Sequence, residues 1–172
     1  MNWPWPAWQP AIDSRRIRRV LGLGLLAVWT TVTAAFAQAG LPPNTRQIVV
    51  PFENIGREGR LQWMTEASAV VLTDDLDALG GTMIGLDARL RALDELRVPG
   101  QVLLSDATII RLAQLAGASQ VVTGGFTLVQ GRLTVRARAI RLDTGRISTP
   151  IVESGTLDDF FSIHARLARR LF

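Results

Sequence analysis

The chain has 172 residues, 48% of them hydrophobic and 20% charged. That balance fits one folded domain with or without a targeting segment, and it excludes disorder along the whole length. All 19 basic residues are Arg, there is no Cys, Tyr or Lys, and there is one His, which excludes disulfide frameworks, thiol catalysis, Cys-ligated zinc and lysine Schiff-base or P-loop chemistry.

The formal net charge of +4 is unevenly spread. Residues 1–37 hold Arg15, Arg16, Arg18, Arg19 and Asp13, for +3, whereas residues 38–172 hold 15 Arg against 14 acids, for +1. The basicity that would suggest a nucleic-acid or membrane binder therefore belongs mostly to the leader, and the body is nearly neutral. The leader has three parts. Trp3, Trp5 and Trp8 alternate with Pro4, Pro6 and Pro10, and the basic Ser14–Arg19 follows. Val20–Trp29 is then an apolar run, and Ala35-Phe36-Ala37 matches the small-x-small rule for cleavage before Gln38. That order predicts a secretory signal over residues 1–37; the competing reading is an uncleaved inner-membrane anchor over residues 20–37. Arg18, two positions after Arg15-Arg16, replaces the large apolar residue of a twin-arginine signal, so the general secretory route is preferred. With no Cys after the cleavage point, lipidation is not expected there. The length of the basic segment suggests a translation start downstream of Met1.

Residues 38–45, with Pro42-Pro43, are expected to form a linker. Ile48-Val49-Val50 is apolar without alternation, as in a central strand buried on both faces, and Pro51 ends it. Phe52-Glu53-Asn54 leads into a loop with Gly56 and Gly59. Leu61–Leu79 has a helical apolar stripe and stops at Gly80-Gly81. Thr82–Leu86 predicts a short strand, with Asp87 capping the next helix. Ser105 caps another helix over residues 106–116. Three strands are then expected over residues 120–129, 132–142 and 146–154, joined by tight turns at Gln130-Gly131 and Asp143-Thr144-Gly145. In the middle one, Leu133, Val135, Ala137 and Ala139 alternate with Arg132, Thr134, Arg136 and Arg138. Thr156, with Asp159 three residues on, caps a last helix over residues 157–171. The order β-α-β-α-α-β-β-β-α predicts an α/β single domain, a five-stranded mixed sheet with helices packed on it. The apolar first strand should lie inside the sheet and the Arg-bearing strand at or near an edge.

Several of these segments together resemble a known family. Ile48–Asn54, Gln62–Glu66, Leu115–Phe126, Gly131–Arg138, Asp143-Thr144-Gly145 and Leu157–Phe161 stand in the order of the TolB amino-terminal-like domain, an α/β module related to the FlgO and CsgG periplasmic assembly proteins. The resemblance spans residues 46–172. It implies an exported, non-enzymatic module that docks other proteins or lines assemblies, with no catalytic residues to carry over. Neither a 34-residue repeat nor propeller blades follow in this sequence, so the domain is expected to act alone or as a piece of a longer chain.

Each side-chain group with chemical potential has a plain alternative. Asp74, Asp75 and Asp77 could attract a divalent cation, and Asp74, Asp77 and His164 together could serve a metal-dependent or hydrolytic enzyme. A solvated helix face and a partly exposed helix histidine are preferred, since no second acidic cluster and no G-x-S-x-G accompany them. Gly124-Gly125 lies inside a strand pattern, which favours close backbone packing over phosphate binding. The Arg132, Arg136, Arg138 stripe could meet nucleic acid or a protein partner. Near-neutrality, few stacking aromatics and export oppose nucleic acid, and pairing with Glu153 or Asp143 is the simpler expectation. Phe52, Glu53, Asn54 and Trp63 follow the carboxyl end of the buried strand, where open α/β sheets place their crevices; the alternative is that Phe52 and Trp63 plug the core. The expected function is an exported, non-catalytic protein-binding or assembly module of the cell envelope, periplasmic or secreted. Its candidate partner-binding residues are Phe52, Glu53, Asn54, Trp63, Arg132, Arg136 and Arg138. No cofactor, metal or nucleic acid is expected, membrane contact comes only through an uncleaved leader, and an oligomer is compatible with this reading.

Overall fold

A computed structural model describes residues 45–98 and 104–172; the expected leader and residues 38–44 of the linker lie outside them. Strand β1 (Arg46–Val49) explains its own lack of alternation: Ile48 packs to one side of the sheet and Val49 to the other, both fully buried. Pro51 has no N–H for the ladder. The chain then resumes pairing as β2 (Glu53–Asn54), farther along the same neighbour, β4 (Gln120–Val129). The sheet therefore has six strands where five were expected. Two residues hold too little pattern to mark a strand, and the glycine that follows suggested a loop.

The strand order is β3-β1-β4-β5-β6, with β3 (Thr82–Met83), β5 (Arg132–Arg141) and β6 (Ile151–Gly155), while β2 also pairs with β4. β1 is parallel to β3 and β4, and β4, β5 and β6 form an antiparallel meander. β1 lies inside the sheet and the Arg-bearing β5 lies one strand from the edge, both as expected. The last strand starts at Ile151, later than expected. Residues 146–150 make a single bridge, Ile140 to Ile147, and Pro150 offers no donor.

Helices cover the two faces unequally. On one, α1 (Trp63–Ala78) and α4 (Phe160–Leu171) pack Met64, Leu72, Ile163 and Leu167 over Phe52, Phe126, Leu133 and Val135. On the other, α2 (Leu86–Glu95) and α3 (Asp106–Leu115) set Leu93, Ile109 and Leu112 over Ile48, Val50, Val121 and Ile140. Ser105 caps α3 as expected, accepting from the Thr108 N–H at 3.2 Å. Asp87 does not cap α2: Gly85 holds that position and Asp87 sits in the first turn, where its charge suits the helix dipole. α4 starts at Phe160, three residues late, because Asp159 turns back and accepts from the Thr156 N–H and hydroxyl at 2.8 and 2.9 Å. That is half of the expected capping box.

Gly124 and Gly125 mark close approaches, as expected. A Cβ on Gly124 would lie 2.2 Å from the Arg136 carbonyl and 2.6 Å from the Phe52 ring; one on Gly125 would meet Ile55 at 2.9 Å.

Candidate functional site

Pro51 creates the site by ending β1. The Phe52 N–H leaves the sheet and donates to Thr65 O on α1 at 3.0 Å. The Ile55 N–H rejoins it on Phe126 O at 3.1 Å, and Asn54 Nδ2 donates to Glu58 O at 2.8 Å, closing the loop. This loop is one wall of a groove of 690 Å³. Leu104 and the first turn of α3 form the other wall, and Thr123–Gly125 of β4 with Arg136–Arg138 of β5 form the floor. The volume lies in the range of pockets that take small ligands or peptide side chains.

Charge in the groove is partly paired. Arg138 forms a fork on Asp106 at 3.0 and 3.1 Å, tying the sheet to α3. Arg136, exposed on the same face, has no side-chain hydrogen bond or ion pair among the described residues, and neither do Glu53 and Arg57 on the loop wall. Arg132, farther along β5, donates to Ser154 Oγ at 2.9 Å. The expected pairing of the β5 arginines with Glu153 does not occur. Register places Glu153 opposite Val135, on the helix-covered face, and Arg136 opposite Val152, on the other face. Arg166 and Arg170 of α4 take Glu153 instead, at 2.8 and 2.7 Å, and their hydrogen bonds hold its carboxyl below the usual range. Arg141 does pair with Asp143, at 2.6 Å.

Of the residues singled out in the sequence, Phe52, Glu53, Asn54, Arg136 and Arg138 come together at this groove. Trp63 and Arg132 lie outside its lining. Phe52 plugs the core, but Trp63 does not: 55% of it is exposed, and it leans on Phe160 with ring centres 5.6 Å apart. Phe161, 69% exposed, meets Phe160 edge-on at 5.3 Å.

His164 is fully buried, contrary to expectation, because Phe160 and Phe52 cover it with ring centres at 4.3 and 6.3 Å. Its Nδ1–H donates to Phe160 O at 2.8 Å, while Nε2 is buried without a partner. Burial pushes its pKa down, which keeps the ring neutral near pH 7. Asp74 and Asp77 are exposed on α1, and burial, reinforced by Asp74, raises the Asp75 carboxyl. Among the described residues no group of three His, Cys, Asp or Glu is placed to hold a metal, and no helix is long and apolar enough to cross a membrane.

Sequence reasoning missed Ile55, Arg57, Asp106 and Arg89. Arg89 is buried on α2, where it donates to Val49 O at 2.7 Å and meets the Glu66 carboxylate. Burial lowers its pKa and Glu66 opposes that shift. It clamps β1, α1 and α2 together behind the loop. An arginine in the amphipathic pattern of α2 carries no sign that it turns inward.

No family model and no curated protein sequence matches the chain. Among solved structures the chain is similar to the LpoB C-terminal domain from Salmonella enterica, at 14% identity over 69% of this chain and 87% of that one, with a TM-score of 0.48. It is also similar to lipoprotein GNA1162 from Neisseria meningitidis, at 17% identity over 65% of this chain and 80% of that one, TM-score 0.48. TolB from Acinetobacter baumannii is similar at 15% identity over 72% of this chain and 26% of that one, TM-score 0.47.

Proposed function

We propose that this chain is a non-catalytic protein-docking module exported to the cell envelope. Residues 1–37 act as the export signal, residues 38–45 as a linker and residues 46–172 as the docking domain. The tripartite leader and the TolB-like motifs support export and the domain boundaries. The observation that carries the docking reading is the uneven cover of the sheet. One face is sealed by α1 and α4, while α2 and α3 cover only part of the other and leave Arg136, at the groove, and Val152 beside it exposed. The part of a sheet face that no helix covers is free for a partner to bury. Asp74, Asp77 and His164 offer no competing site, since the first two are solvated and the imidazole is shut in the core.

The absence of Cys makes the test direct. Single cysteines introduced as Val152→Cys, on the same face opposite Arg136, and Glu53→Cys carry a photo-crosslinker in the native cell, with Asp94→Cys on the outer side of α2 as control. A discrete adduct from the first two and none from the control is expected. Equal crosslinking at all three positions, or none at any, would end the docking reading. Recovery of the protein from the cytosol with Met1 intact would end the export reading.

A further inference from the structure

We propose that the open face takes an extended acidic segment of the partner protein, with Arg136 receiving a carboxylate. This rests on the docking reading above and names the chemistry of the partner.

Parts of both sides of the sheet are already occupied by side-chain donors or by a short strand. At β6, Arg170 and Arg166 donate to Val152 O and Ser154 O, each at 3.3 Å. Those two carbonyls alternate with the residues whose main chain faces β5, so they are the edge groups. At the β1–β2 side, Arg89 occupies Val49 O, Thr65 O takes the Phe52 N–H, and β3 fills the remainder through the Ile84 N–H on Gln47 O at 2.8 Å. The β5 face, by contrast, presents side chains to a partner.

That face carries its charge in a line. Arg132, Thr134, Arg136 and Arg138 share one side of β5, so Arg136 and Arg138 stand about 7 Å apart along the strand and Arg132 about 14 Å from Arg136. An extended segment with acids at alternate positions has the same repeat. Two of the three arginines are occupied internally, Arg138 by Asp106 and Arg132 by Ser154. Arg136, between them, is unpaired among the described residues, and Arg57 adds a second unpaired cation at the groove against one unpaired carboxylate, Glu53. Guanidinium groups bind carboxylates through paired N–H donors, which favours an acidic partner. Val152, 50% exposed opposite Arg136, and Ile55 on the loop supply apolar contact beside that charge. Acidic side chains that alternate with apolar ones match both features.

The test uses the full chain and fluorescence anisotropy with a labelled peptide in which Glu alternates with Val and Ser. Its Gln counterpart, inorganic phosphate, phosphatidylglycerol vesicles and a single-stranded oligonucleotide serve as competitors. The Glu peptide should bind, weaken roughly tenfold or more with Arg136→Glu, and weaken with added salt. Arg136→Gln should fall between, and Arg111→Glu on α3 should leave binding unchanged. Thermal melts of each variant confirm folding. Equal binding of the Gln peptide, or displacement by phosphate, vesicles or oligonucleotide in preference to the peptide, overturns the proposal. If no peptide binds while the Glu53→Cys crosslink persists, the acidic chemistry is wrong and the docking reading survives; if both fail, both fall.

Discussion

The two faces of this sheet are built from the same strands and finished differently. Under α1 and α4 the core closes fully over Phe52, Phe126 and Leu133, down to an imidazole with one nitrogen left without a partner. Under α2 and α3 the cover reaches Val121 and Ile140 and stops short of Arg136 and Val152. The sealed face secures the fold and the half-open face leaves surface for contact. The division follows from register: one residue of shift along β5 or β6 moves a side chain from one face to the other. The contrast predicts that substitutions on the first face cost stability and that those on the second cost binding.

The largest effect should come from cavities. Leu167→Ala, in the sealed core, should lose about 2–5 kcal/mol by thermal or denaturant unfolding. Ile109→Ala, on the groove wall, should fall at the low end of that range because water and neighbouring side chains can enter the space. Equal losses at the two sites would erase the distinction between the faces. Next comes Gly124→Ala, whose new methyl group would sit against the Arg136 carbonyl and the Phe52 ring. It should cost about 1–3 kcal/mol, seen as a melting point lower by several degrees; an unchanged melting point would mean that β5 and Phe52 have room to move.

A smaller effect separates the faces by pH. His164 has a folded-state pKa pushed below its ordinary value of 6.5. Between the two values the unfolded chain binds a proton that the folded chain refuses, so stability is full above the unfolded value and declines as pH falls below it. Denaturant curves at pH 7.5 and 5.5 should show this loss in the natural protein and a flatter response in His164→Leu. A variant with the same slope would place the titrating group elsewhere. The smallest effect belongs to Arg136→Ala, which should shift stability by no more than about 0.5 kcal/mol while it weakens crosslinking at Glu53→Cys. A large loss of stability there would make Arg136 a structural residue.

Much of the groove was legible before any coordinates. The apolar Ile48-Val49-Val50 run, its Pro51 stop and the alternation of β5 placed Phe52–Asn54 at a strand end and put Arg136 and Arg138 on one face. The rest depended on distant partners. Glu153 looked like a cross-strand mate for the β5 arginines, but its companions, Arg166 and Arg170, come from a helix that the strand pattern does not mention. His164 lies in the core and not on a partly exposed helix face for the same reason, and Trp63 stays exposed and does not plug the core. α4 lays Phe160 over the imidazole and offers the indole only one surface to rest on.

Sequence by itself determined the kind and order of the elements apart from the two-residue β2, the near-neutral charge after a basic first 37 residues and the chemistries for which the chain has no side chains. Periodicity, breakers and composition are local quantities, and they survive without knowledge of what packs where. Only the tertiary structure decided how far α3 reaches across the sheet, that Arg138 finds a carboxylate where Arg136 does not, and that Arg166 and Arg170 reach the main chain of β6. Those outcomes depend on register and helix placement between residues far apart in the chain, and no local pattern encodes them.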